Sequence, residues 1–257
     1  MITPPEPHDV TLAAEVVQGA GRLAHRMRYD GLSVSTKTSN SDLVTAADHA
    51  AEELVVSLLV AACPDDAIVG EEGSDRRGTS GRDWVVDPVD GTWNFVHGLD
   101  HWCSAVALRD PDGIRLGAVH HPASDRVWVG GPGLRTTVDG VELPLLDDLP
   151  LAEVGIATYL HPTDTHVDPI ATPWRRVSAA AATVRVLGSA SMDMVSVASG
   201  GLGCWAQHSL ADWDLLPGLA LVLGVGGTYQ QVDVGGVTWT VAGRPTAVAE
   251  AVALLRG

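Results

Sequence analysis

The 257-residue chain is short of several things, and each shortage removes a class of protein. There are three cysteines, Cys63, Cys103 and Cys204, an odd number with no CxxC pair and no Cys/His metal spacing. They read as free, mostly buried thiols in a reducing compartment, which excludes a disulfide-stapled scaffold. No apolar run reaches the length of a membrane span. Met1 to Val10 carries two acidic residues and no apolar h-region, so no signal peptide is expected and a soluble, cytoplasmic protein is. Positive charge is also scarce, with 16 Lys and Arg against 32 Asp and Glu and a formal net charge of −16. That balance argues against nucleic acid or an anionic membrane surface as the main partner. Fifteen of the sixteen cations are arginine, Lys37 is the sole lysine, and Phe95 is the sole phenylalanine.

What remains is ordinary for a globular protein, with 46% hydrophobic residues. Leu12, Val16, Leu23 and Met27 recur at nearly helical spacing and predict a helix from Val10 to Met27. A second helix is expected over residues 46 to 62, started at Thr45 and stopped by Pro64. Strands are expected at Ala67 to Val69, Trp84 to Val86, Trp102 to Arg109, Ile114 to His120 and Asp125 to Val129. Residues 131 to 150, rich in Gly, Pro and Asp, read as a connection between two subdomains of about 1–140 and 141–257. The second half alternates: strand 154–159, helix near 173–183, strand 184–187, helix 191–198, strand 204–207 and a helix from Trp213. Strands near 227–241 and a helix from Pro245 to Leu255 close it. Such mixing predicts an α+β or layered α/β fold.

The chemistry concentrates where the Trp84 to Val86 strand ends, at Asp87-Pro88-Val89-Asp90-Gly91-Thr92. Pro88 fixes its own φ and pushes Asp87 toward extended backbone, so the turn is stiff. Gly91 lets N–H groups approach an anion closely. Two hard carboxylates, an anion-sized concavity and a hydroxyl point to metal-assisted chemistry on a phosphate. A polar turn after a strand is the plainer alternative. An EF-hand would need its ligands to continue to a distant glutamate, whereas Trp93 and Phe95 intervene. A haloacid-dehalogenase-type aspartate pair would be spaced by two, and these are spaced by three. His120-His121 lack further ligands at zinc spacing and read as core or surface histidines, and His97 as structural.

Residues 84 to 98 resemble the DPxDGTxNFxxG signature of the inositol monophosphatase family of metal-dependent phosphatases. Three more segments fit in the family's order: Lys37 to Asp48 (KTSNSDLVTAAD), Gly70-Glu71-Glu72 and Asp212-Trp213-Asp214. The resemblance implies a five-layer αβαβα sandwich, the sugar-phosphatase fold. It implies metal ligation by Glu71, Asp87, the Val89 carbonyl, Asp90 and Asp214, with Glu71 also counted as catalytic. Asp48 and Thr92 would orient the attacking water, although Thr45-Ala46-Ala47-Asp48 alone reads equally as a helix capping box. Gly91 and Thr92 would hold the phosphate. Gly188, Ser189, Ala190, Asp90 and Gln207 would face the rest of the substrate, with Lys37 and Glu72 behind the ligands. Two or three Mg2+ would balance the four clustered carboxylates and the incoming phosphate. A homodimer acting on a small phosphorylated metabolite is implied too.

Gln207 stands where the family commonly has a glutamate for substrate hydroxyls, and Ala211 replaces a polar residue. The expectation is therefore a Mg2+-dependent phosphomonoesterase of inositol monophosphate or a similar polyol phosphate. Histidinol phosphate ranks next, and adenosine 3',5'-bisphosphate or fructose bisphosphate lower. A catalytically idle regulatory protein is the alternative from another class.

Overall fold

The computed structural model describes residues 5–30, 34–36 and 43–257, so Lys37 lies outside the described residues. Helix α1 spans Pro7–Asp30, longer at both ends than its periodicity predicted. Its Leu12, Val16, Ala20 and Ala24 recur every four residues and are all buried, which makes the stripe that packs on the sheet. Strands β1 (Val34–Thr36) and β2 (Leu43–Thr45) pair antiparallel before α2, Ala46–Ala62. The start of α2 is a closed capping box. Thr45 Oγ1 accepts from Ala47 N at 3.0 Å, and the Asp48 carboxylate accepts from Thr45 N at 3.0 Å.

Seven strands then build one sheet: β3 (Ala67–Gly70), β4 (Asp83–Asp90), β5 (Cys103–Asp110), β6 (Gly113–His121), β7 (Arg126–Gly131), β8 (Leu134–Val138) and β9 (Val141–Glu142). They lie side by side in chain order. Only β3 and β4 are parallel. Arg82 fastens the start of β4, donating in a fork to Asp9 of α1 and again to Asp66, which also accepts Trp84 Nε1 at 3.0 Å. The short helix α3 (Thr92–Val96) follows β4 directly.

A five-stranded sheet follows, in the order β11-β10-β12-β14-β13. Its elements are β10 (Gly155–Thr158), α4 (Asp168–Ala180), β11 (Thr183–Arg185), α5 (Ala190–Ala198), β12 (Cys204–His208), α6 (Asp212–Gly224), β13 (Thr228–Val234), β14 (Val237–Gly243) and α7 (Pro245–Arg256). Three buried clusters separate the layers. The first lies between α1 with α2 and the large sheet, the second around α5 and α6 between the sheets, and the third between the small sheet and α4 with α7. The result is the expected αβαβα sandwich.

Three expectations need correction. Residues 131 to 150 are not simply a connection, because β8 and β9 extend the large sheet. The Gly and Asp residues that suggested a linker form tight turns, with positive φ at Gly133, Asp139 and Gly140. Helix α4 begins at Asp168 rather than near 173, with a proline, Pro169, in its first turn, where the missing N–H costs nothing. Leu187, expected in a strand, lies beyond β11.

Candidate active site

The large sheet delivers the acidic turn through a flaw in β4. Asp87 pairs with Ala105 but Asp90 with Cys103, so three residues advance on β4 for two on β5. Pro88 has no N–H for the ladder, which suits it to this bulge. Val89 N donates to Asp87 Oδ1 at 3.1 Å, and Ser104 Oγ donates to the Pro88 carbonyl at 2.6 Å. Gly91 has φ +94°, and a Cβ there would sit 3.1 Å from the Gly188 carbonyl, so no larger residue fits without displacement.

Asp87, Asp90 and Asp214 each place a carboxylate oxygen within 4.8 Å of the others. Asp87 is 1% exposed and Asp90 4%, while Asp214, in the first turn of α6, is half-buried. Burial pushes the Asp87 carboxyl well up, and the charges of Glu71, Asp90 and Asp214 push it further. Burial also raises Asp90, opposed by hydrogen bonds from Ser191 and Ser189. Its carboxylate accepts Ser191 N at 2.6 Å and Ala190 N at 3.2 Å, so it is held by the N-terminus of α5. Glu71 lines the same cavity from the end of β3.

Asp48 serves the cap and also faces the site. Its Oδ1 lies 3.3 Å from Thr92 Oγ1, which is in turn 3.0 Å from the Val89 carbonyl. Burial lifts the Asp48 carboxyl to about 6 despite the hydrogen bond from Thr45, with the charge of Glu72 adding to the rise. The cavity, about 550 Å³, takes in Glu71, Asp87, Val89, Asp90, Gly91 and Thr92. Gly188, Ser189, Ala190, Gln207 and Asp214 also line it. Glu72 turns away. Its N–H donates to Glu52 at 2.9 Å. Asp212, beside Asp214, is engaged by Arg109 on the surface.

Three residues escaped the sequence reading. Glu52, fully buried one turn after Asp48 on α2, accepts Glu72 N and Ser74 N at 2.9 and 3.0 Å and braces the turn that carries Glu71. Asn94 donates its amide to the His101 and Leu187 carbonyls, both at 2.7 Å, tying the signature to the opposite wall. Asp193 lines the cavity beside Asp90 and lies 3.1 Å from His101 Nε2; burial raises it to about 6. Spacing offers no signal for Glu52 or Asp193. Asn94 lay inside the quoted signature, but one of its partners, Leu187, is 93 residues away.

The histidines behave as expected. His120 is buried against Asp125, His121 hydrogen-bonds Ser124 and the Asp100 carbonyl, and His97 Nδ1 lies 2.8 Å from the Trp93 carbonyl. The cysteines are free, two of them buried.

The donor set is all oxygen, mostly carboxylate, and crowded enough to hold protons unless a divalent cation offsets the charge. It fits a hard metal ion. Residues 6–254 match the inositol monophosphatase family. The chain belongs to that family. Among its relatives, inositol monophosphatase 2 of Rattus norvegicus is 30% identical over 84% of this chain and 77% of its own length. The Nus factor SuhB of Pseudomonas aeruginosa is 31% identical, covering 85% of this chain and 83% of its own. A crystal structure of the extragenic suppressor protein suhB from Bartonella henselae superposes with a TM-score of 0.84 at 25% identity, covering 96% of both chains. As a member of the inositol monophosphatase family, the chain is a phosphatase, a phosphoric monoester hydrolase of small phosphorylated substrates, in a metal-dependent family. Among the described residues, no helix is long and apolar enough to cross a membrane.

Proposed function

We propose that this chain is a Mg2+-dependent phosphomonoesterase of small alcohol phosphates, with inositol monophosphate and similar polyol phosphates inside its range. The observation that carries the reading is one cavity holding both the Asp87–Asp90–Asp214 cluster and the Asp48–Thr92 contact. Glu71, Asp87 and the Val89 carbonyl would hold one ion, and Asp87, Asp90 and Asp214 a second, with room for a third beside the phosphate. Magnesium bound there would supply Lewis acidity, lowering the pKa of water and neutralising charge on the phosphoryl group.

The chain's own residues do the rest. Thr92 Oγ1 takes a hydrogen bond from the attacking water and passes its own proton toward Asp48 Oδ1. A carboxyl with a pKa of about 6 is suited to that task near neutrality. The Gly91 and Thr92 N–H groups hold the phosphate in line with the attack. The water oxygen forms the new bond to phosphorus while the bond to the ester oxygen breaks. That oxygen takes a proton from a solvent water and leaves as the alcohol toward Asp214 and Gln207. Positioning and fixed charge supply most of the rate in such a transfer.

The complete set of acidic ligands favours an enzyme over an idle regulatory protein, although one relative carries a Nus factor's name. A soluble, cytoplasmic homodimer is part of the same reading. Phosphate release from a panel of esters, with Mg2+, with EDTA and with Li+, tests it. Release that needs Mg2+ and stops in EDTA is expected, and no release from any ester overturns it. Histidinol phosphate in the panel distinguishes the nearest alternative substrate.

A further inference from the structure

Part of the cavity lining differs in character from the carboxylates. Trp93, Tyr159, Pro162, Val186 and Leu187 make it up, with the neutral amide of Gln207. Trp93 is 46% exposed and Val186 55%, two large apolar surfaces held open to solvent at the mouth of a site. The Trp93 ring is not loose. It stacks on His97 with centroids 4.0 Å apart, which sets its plane. Tyr159 and Val186 come from the other half of the chain, at the ends of β10 and β11.

Several partners for hydroxyl groups are already engaged within the chain, which leaves chiefly the Gln207 amide, the Tyr159 hydroxyl and Asp193. The N–H groups of Ala190 and Ser191 are taken by Asp90, and the Leu187 and Gly188 carbonyls accept from Asn94. Ser189 Oγ caps α5 by accepting from Met192 N. No arginine or lysine is among the described lining residues, so nothing described there neutralises a second anionic group.

We propose that this wall selects monophosphates whose alcohol carries a flat, unsaturated, uncharged ring over polyol phosphates, with Trp93 and Tyr159 as the specificity-determining residues. The proposal rests on the phosphomonoesterase reading and names its preferred leaving group. A planar ring covers the exposed apolar surface and needs few hydrogen bonds, whereas a polyol covers less of that surface.

The test compares kcat/KM for 2-phenylethyl phosphate, glycerol 2-phosphate and myo-inositol 1-phosphate with Mg2+ present. All three are esters of aliphatic alcohols, which limits the influence of leaving-group acidity. A preference of at least about tenfold for the phenylethyl ester is expected. Trp93→Ala, and separately Tyr159→Ala, should lower the ratio of phenylethyl to glycerol ester by about fivefold or more. A wild-type preference for the inositol ester overturns the proposal, as does an equal fall for all esters in both variants. The corresponding phosphonates, titrated by calorimetry, decide the matter even without turnover. Tighter binding of the phenylethyl phosphonate that weakens in both variants supports the ring site while the hydrolase reading fails, and equal binding removes the ring site.

Discussion

Around the acidic turn of the cavity Asp48, Asp87 and Asp90 are buried, and the backbone around them is braced. Asp90 is held by two N–H groups of α5, Asp48 by the Thr45 cap, and the Glu71 turn by Glu52. Elsewhere in the same lining Trp93, Val186 and Pro162 face solvent, and Gln207 is only half-buried. The difference separates two tasks. Phosphoryl chemistry needs charges fixed to within fractions of an ångström, and a β-bulge locked by side chains provides that. Leaving-group selection needs a surface that can change without disturbing the chemistry, and residues after β10 and β11 provide it.

Breaking the acidic turn should have the largest effect. Asp87→Asn should lower kcat by about a thousandfold or more, since it removes a carboxylate that both proposed ions share. The same variant relieves a buried negative charge crowded by Glu71, Asp90 and Asp214, so the metal-free Tm should stay level or rise. Activity and thermal melting of one preparation check both. Thr92→Val should cost about a hundredfold to a thousandfold in kcat with the fold intact, because it cuts the 3.3 Å link to Asp48. A kcat within fivefold of wild type would remove Thr92 from the chemistry.

Glu52→Gln sharpens the role of bracing. A Gln oxygen can still accept one of the two N–H groups, but its amide nitrogen faces the other. The Mg2+ midpoint for activation should rise by about tenfold, while kcat at saturating Mg2+ moves less. An unchanged midpoint with a lower Tm would make Glu52 structural only.

The pH dependence separates the acidic groups of the site from the rest of the molecule. Asp48 and Asp193 have folded pKa values of about 6, and Asp87 and Asp90 are raised as well. Those four carboxyls therefore bind more protons in the folded chain than in the unfolded one between the ordinary carboxylate range and about pH 6. Their contribution to stability falls as pH rises through that window. His120 and His208, whose pKa values burial lowers, act in the opposite sense near pH 6, two groups against four. In EDTA the Tm should drop between pH 5 and 7.5, and Mg2+ should recover more of it at pH 7.5 than at pH 5. A metal-free Tm that climbs over this range would contradict the assignment. The smallest effect belongs to Asp212→Ala, which loses a surface pairing to Arg109 and should leave kcat within twofold.

What could be read from sequence follows the same division. Asp87, Asp90, Gly91 and Thr92 are contiguous, so their chemistry is written in one local pattern, and Asp48 announces itself through its cap. Glu52 acts on backbone 20 residues away and Asn94 on a carbonyl 93 residues away, distances at which spacing carries no information. On its helix, Glu52 reads as one more solvated charge, although it is wholly buried. Tyr159, Val186 and Trp93 belong to no pattern of chemical residues, and only the packing of two halves brings them to one cavity. Strands β8 and β9 were hidden because hairpin turns and linkers draw on the same Gly and Asp residues. Tertiary pairing, not local composition, decides between the two.

The central claim is that Asp87, Asp90 and Asp214 form a magnesium site. Calorimetric titration of Mg2+ into the EDTA-treated, dialysed chain, compared with Asp214→Asn, tests it most directly. The account predicts saturable binding of at least two ions in the wild type and the loss of at least one in the variant. Equal stoichiometry and affinity in the two proteins would contradict it.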